Sequence, residues 1–171
     1  RDAVSAGIFL NIFNRHADRV KMCNIAQINN VLQAMILTRG SEMIVTPTYH
    51  VFEMYNVHHG ATLLPVDLTC PSYKGGGNEL PILVTSASKD GTGKIHITVC
   101  NLDPNQSTQL ECSFEGFNPE SVNGRVLTSE KITDHNTFEN PEAIKPARLE
   151  GIKTGGNQVI ALIPAKSVVV L

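Results

Sequence analysis

"VKMCNIAQINNVLQAMIL", residues Val20 to Leu37, is the stretch whose reading decides the fold. Its first part, Val20 to Ala26, lacks the strict polar/apolar alternation of a half-wet strand. It predicts instead a strand covered on both faces, the kind found in parallel sheets sheathed by helices. In its second part Val31, Leu32, Met35 and Ile36 recur at helical spacing, which predicts a helix. The side chain at the junction is an amide, Gln27. Upstream, Val4, Ile8 and Ile12, with Phe9 and Phe13 one position on, form an apolar stripe on a helix from Ala3 to Asn14. The polar connection "NRHADR" follows it. Downstream, Thr46-Pro47 supplies an N-cap and a proline for the first helical position, so another helix is expected through about His58, with Gly60 as its C-cap.

After Gly60 the helical period does not return. "ELPILVTSAS" (79–88), "KIHITVCNL" (94–102), "STQLECSFE" (107–115), "NGRVLTS" (123–129) and "NQVIALIPAKSVVVL" (157–171) are rich in Val, Ile, Leu and Thr. The turn-forming stretches "KDGTG", "DPNQ" and "GFNPESVNG" separate them. This pattern predicts an antiparallel β-sandwich of jelly-roll type, with "PSYKGGGNE" as a flexible loop near the boundary. One strand and several helices cannot close a sheet, so the neighbours of Val20 to Ala26 are expected upstream of Arg1. The reading is α/β plus all-β: residues 1–60 are the last helix, strand and helix of a (β/α)8 TIM barrel, and residues 61–171 are a C-terminal β-sandwich. In such barrels function gathers at the C-terminal ends of the strands, where Gln27 falls.

The 171 residues are 42% hydrophobic and 18% charged, the balance of a folded globular protein. Fourteen basic and sixteen acidic residues leave a formal charge of -2 with no basic block, which argues against a nucleic-acid partner. No apolar run reaches the roughly 20 residues of a membrane span. The first residue is Arg1 rather than Met, and a helical pattern begins at once, so a natural start is expected further upstream. Cys23, Cys70, Cys100 and Cys112 show no C-x-x-C spacing and are expected to be buried free thiols.

Two readings of Gln27 compete. It either caps the next helix or bridges a loop, or it turns its carboxamide into the mouth of a site, where one group both donates to and accepts from a polyhydroxylated substrate. Asn29 and Asn30 are explained at least in part by helix N-capping. His50, His58 and His59 lack ligand spacing for a metal and are expected at a surface or helix end; His16 suits the end of the first helix. "KGGGNE" lacks the remainder of a phosphate-binding motif, and the "NQS" at Asn105 is a pattern frequent by chance. Glycoside hydrolysis needs paired carboxylates. Glu53, Glu111 and Glu115 do not make such a pair, and none ends the barrel-like strand.

The runs "N-x-H-A-D-R-V" (Asn14 to Val20), "N-I-A-Q" (Asn24 to Gln27), "N-V-L-Q-A" (Asn30 to Ala34) and "T-P-T-Y-H-V-F" (Thr46 to Phe52) strongly resemble the α-L-arabinofuranosidases of glycoside hydrolase family 51, most tightly over residues 7–68. The resemblance implies a retaining, exo-acting hydrolase that removes terminal α-L-arabinofuranosyl units from arabinan, arabinoxylan or their oligosaccharides. It also implies an acid/base and a nucleophilic glutamate after the fourth and seventh barrel strands, both upstream of Arg1, so that no catalytic residue is expected in this chain. Gln27, by its place in "N-I-A-Q", would hydrogen-bond the arabinofuranosyl unit in the cleavage subsite. No metal or organic cofactor is implied, and homo-oligomers, often hexamers, are. A second reading makes the piece a non-catalytic module whose sandwich binds polysaccharide or docks subunits.

Overall fold

The C-terminal run Ser167 to Leu171 is buried throughout and shows how the layers are built. Val168 and Val170 pack with Ala3, Leu10, Val51 and Met54 from the helices; Val169 and Leu171 point the other way, into a core with Leu110, Ala161 and Ile163. Each of these valines contributes roughly 1.5–3 kcal/mol by leaving water, and the period of two along the strand divides that gain between two cores. The result is three layers: helices, a large sheet and a small sheet.

A computed structural model describes residues 1–171. In chain order the elements are α1 (Asp2–Arg15), β1 (Ile36–Arg39), β2 (Glu42–Val45), α2 (Pro47–Met54) and a 3₁₀ turn (Tyr55–His58). Then follow β3 (Thr62–Leu64), β4 (Ser72–Gly75), β5 (Asn78–Pro81), β6 (Leu83–Lys89), β7 (Ile95–Asn101), β8 (Thr108–Ser113), β9 (Arg125–Leu127), β10 (Ala147–Arg148), β11 (Lys153–Gly155), β12 (Gln158–Ile163) and β13 (Ser167–Val170). The large sheet has six strands in the order β10-β9-β13-β7-β6-β3, and the small one has three, β11-β12-β8. Their ladders are antiparallel, with Val169 opposite Val99 on one side and Val126 on the other. The molecule is mostly strand with few helices, and the strand-rich half follows the pattern read from residues 79–171.

Four local expectations are corrected. Val20 to Ala26 forms no strand: the segment is irregular, with Met22 and Cys23 exposed. A parallel strand exists only by pairing, and the chain offers these residues no ladder. The helix expected over Val31 to Ile36 is replaced by the β1-β2 hairpin. Asn30 (φ 54°) and Gln33 (φ 63°) are left-handed, which a helix does not admit, and Gly40 (φ 61°) opens the tight turn that pairs Arg39 with Glu42. "PSYKGGGNE" is not a loop but the β4-β5 hairpin, turned by Gly76 and Gly77 at φ 58° and 79°, as a turn with two left-handed central residues requires.

The fourth correction concerns which face of α1 is covered. The helix buries Ala3, Gly7, Leu10 and Asn11 against the large sheet, whereas the stripe that predicted it is divided: Val4 and Ile8 pack partly buried against the core, while Phe9 is 56% exposed and Ile12 and Phe13 are also exposed. The helix is therefore apolar on two flanks, of which the sheet occupies one. Gly7 marks the closest approach: a Cβ there would lie 2.7 Å from Cys100 Sγ and 3.3 Å from the Tyr55 hydroxyl oxygen.

Candidate functional site

Between α1 and β1 the chain has no regular helix or strand, and residues 28–38 fold back on themselves. Ile36 N donates to Ile28 O at 3.1 Å and Asn30 N to Ile36 O at 3.2 Å. Asn29 and Asn30 cap no helix. Instead Asn30 Nδ2 donates to Thr38 Oγ1 (2.9 Å), Thr38 N donates to Asn30 Oδ1 (2.8 Å), and Asn29 Nδ2 reaches the same hydroxyl at 3.3 Å. Asparagine suits this position because its short amide supports a left-handed backbone while bonding locally. Gln27, on the exposed approach to this clamp, lines a shallow depression of about 380 Å³ with Ile25, Ala26, Val31, Leu32 and Gln33. Its carboxamide makes no hydrogen bond within the chain. The capping reading thus has no helix to act on, and the amide is left with its donors and acceptor free.

A larger concavity, about 800 Å³, opens between α1, the irregular segment and α2; Leu10, Phe13, Met22, Ile25, Phe52 and Tyr55 are among its walls. With Met22 and Ile28 exposed at its margin, it extends the open apolar flank of α1.

The sheet side of α1 is held by a buried polar chain that local reading missed. Asn11 is fully buried; its Oδ1 accepts from Ser86 Oγ (2.8 Å) and Thr98 Oγ1 (2.6 Å), and its Nδ2 donates to Val84 O (2.9 Å) and toward Cys100 Sγ (3.6 Å). Since the single Thr98 hydroxyl proton goes to Asn11, Thr98 Oγ1 is the acceptor for His58 Nε2 at 3.1 Å, and His58 Nδ1 accepts from Ser88 Oγ at 2.7 Å. Burial, with the nearby His96 and His59, holds His58 down at about 4, so the ring is neutral near pH 7. His58 stands at a helix end as expected but is part of the joint with the sheet rather than of the surface. His16 is exposed at the end of α1.

Glu53, Glu111 and Glu115 are not brought together, and the two carboxylates that do share a partner, Glu42 and Glu139, are both paired with Arg39 at the surface (2.9 and 3.1 Å). Glu53 is engaged by Arg125 in a two-pronged pair, 2.9 Å at each prong, and that hydrogen bonding lowers its pKa. Glu111 and Glu115 are exposed on and just beyond β8, a strand of the small sheet. All four cysteines are free, but only Cys100 is fully buried, its thiol pushed up to about 12 by loss of water; Cys23 is exposed, contrary to expectation, because the irregular segment carries no cover.

The fold and the site's residues define a β-rich unit with few helices and an uncovered apolar flank on α1. The α-L-arabinofuranosidase C-terminal domain family matches residues 1–167. An intracellular exo-α-L-arabinofuranosidase from Bacteroides ovatus is 43% identical over 172 residues, covering 100% of this chain and 34% of that protein. Among solved structures, the family 51 arabinofuranosidase from Xanthomonas axonopodis pv. citri superposes with a TM-score of 0.95 at 41% identity over 98% of this chain and 34% of that one. The α-L-arabinofuranosidase from Thermotoga maritima, solved as an arabinose complex, shares the fold with a TM-score of 0.85 at 23% identity over 98% and 37% of the two chains. The chain belongs to the α-L-arabinofuranosidases of glycoside hydrolase family 51, and it spans about a third of the length of the Bacteroides and Xanthomonas relatives.

Proposed function

We propose that this chain is the C-terminal portion of a retaining, exo-acting α-L-arabinofuranosidase that removes terminal arabinofuranosyl units from arabinan, arabinoxylan or their oligosaccharides. Residues 1–60 are the closing part of its catalytic barrel, and residues 61–171 are the sandwich that holds that part in place. The observation that carries the reading is the open apolar flank of α1, continuous with the 800 Å³ concavity. An exposed apolar surface lining a concavity marks an interaction face, and the upstream two thirds of a family 51 enzyme are of the right kind to cover it. The general acid/base and the nucleophile belong to the upstream portion, since the carboxylates here are dispersed or paired with arginine.

In this scheme the uncommitted amide of Gln27 faces the arabinofuranosyl unit being cleaved, donating to one hydroxyl and accepting from another. The Asn29-Asn30-Thr38 clamp fixes the backbone just beyond it, and the Asn11-His58 joint fixes the helix before it. The intact enzyme assembles as a homo-oligomer. The test is turnover of a nitrophenyl α-L-arabinofuranoside by the intact polypeptide and by residues 1–171 alone. The intact form should release arabinose and the 171-residue chain none; release by the chain alone would refute the division of labour.

A further inference from the structure

At one end of the sandwich, where the β6-β7 turn meets the connection between β8 and β9, a cleft of about 560 Å³ opens between the two sheets. That volume lies within the roughly 300–1,000 Å³ range of small-ligand sites. It shares no lining residue with the Gln27 depression or with the concavity beside α1. Its floor is apolar, made by Ile95, Ile97, Val122, Val159 and Leu171. One wall is an aromatic pair: the rings of Phe114 and Phe117 stand 5.8 Å apart at 65°, and Phe117 is 40% exposed. The rim carries Lys94, Asn118, Glu120 and Asn123, and none of these four side chains has a hydrogen-bond partner in the chain.

One wall, and the base of the other, are fixed before any ligand arrives. On one side Asp90 Oδ1 accepts from Thr92 N (2.8 Å), Thr92 Oγ1 (2.8 Å) and Lys94 N (3.1 Å), while Asp90 Oδ2 pairs with His96 Nε2 at 2.9 Å. On the other, Phe114 N donates to Asn157 O at 2.9 Å and Asn157 Nδ2 donates to Phe114 O at 3.0 Å. The parts so held lose little further freedom on binding, which favours affinity. The rim's formal charges, one from Lys94 and one from Glu120, cancel, so the cleft selects neither for an anion nor for a cation. An apolar floor with a phenyl ring suits a sugar's C–H face, and two free amides suit its hydroxyls.

We infer that this cleft is a carbohydrate-binding site, separate from the cleavage site, that takes a short neutral arabino-oligosaccharide and so gives the chain a second hold on its polymer. The choice of arabinose rests on the family reading above; the cleft and its neutral sugar chemistry stand apart from it.

The experiment is a titration of the full chain with arabinotriose, read from its backbone amide signals by two-dimensional NMR. Saturable shifts at residues 92–97 and 114–123 are expected, lost in Phe117→Ala and kept in Gln27→Ala. The paired change Glu120→Ala with Asn123→Ala, at exposed positions that leave the fold intact, should raise the Kd read from the same shifts by roughly tenfold, the equivalent of one or two hydrogen bonds. Shifts confined to residues 25–33 would support the Gln27 reading while overturning this one. The proposal is equally overturned if those two segments do not respond, if their response disappears in Gln27→Ala, or if the paired change leaves it intact.

Discussion

Replacing Asn11 with alanine should be among the most damaging single changes in the helix layer. The fully buried amide makes three short hydrogen bonds, to the hydroxyls of Ser86 (2.8 Å) and Thr98 (2.6 Å) and the carbonyl of Val84 (2.9 Å). At about 1 kcal/mol net for each, their loss costs about 3 kcal/mol. Ser86 and Thr98 lie 2.9 Å apart and can partly satisfy one another, which lowers the cost, while the space left by the carboxamide raises it. Urea unfolding followed by circular dichroism measures the sum. With a slope of about 2 kcal/mol/M, the midpoint should fall by about 1.5 M. Asn11→Leu should cost at least as much, because it strands the same hydroxyls, and adding Ser86→Ala and Thr98→Val should return at least about 1 kcal/mol. A midpoint loss below about 0.5 M for Asn11→Ala would refute the view that this chain of hydrogen bonds fastens α1 to the sheet.

The same joint makes a pH prediction. The folded protein holds His58 at about 4 against 6.5 when unfolded, so the unfolded state takes up a proton first and stability should fall as pH drops from 6.5 through 4, by no more than about 3 kcal/mol. Unfolding midpoints across that window should slope less in His58→Gln. Gly7→Ala places a Cβ 2.7 Å from Cys100 Sγ and should destabilise by about 1–3 kcal/mol, with Cys100→Ala relieving most of it in thermal melts of the double variant. Breaking the half-exposed Glu53–Arg125 pair by Arg125→Ala should cost only about 0.5–1 kcal/mol, and less in high salt.

Much of the strand-rich half was legible from local chemistry. The Val, Ile and Thr runs bounded by Gly, Asn and Asp became β6 to β9, β12 and β13, and Thr46-Pro47 opened α2 where a cap and a proline place it. Misreadings arose where the outcome depends on partners distant in sequence. Val20 to Ala26 has strand chemistry but no ladder. The stripe of Val4, Ile8, Phe9, Ile12 and Phe13 announced α1 correctly, yet only Val4 and Ile8 of it pack on the core, and the sheet is met most closely by the flank of Gly7 and Asn11, because a glycine lets the helix approach Cys100 closely. The β1-β2 hairpin could have been found from Gly40-Ser41 between two apolar runs, a two-residue turn signal outweighed by the helical spacing of Val31 to Ile36. The Asn11-Ser86-Thr98-His58 chain spans positions tens of residues apart, beyond any local period. Gln27 could be singled out by its place at the end of a run, but only the family resemblance gave it a sugar to face.

The most direct test is the kinetics of Gln27→Ala in the intact polypeptide acting on a nitrophenyl α-L-arabinofuranoside. If the amide holds the arabinofuranosyl ring, kcat/KM should fall by about 10- to 100-fold, the equivalent of about 1–3 kcal/mol of lost contact, while the unfolding midpoint stays in place because the exposed side chain bonds to nothing within the chain. Unchanged kcat/KM in a stable variant would contradict the assignment.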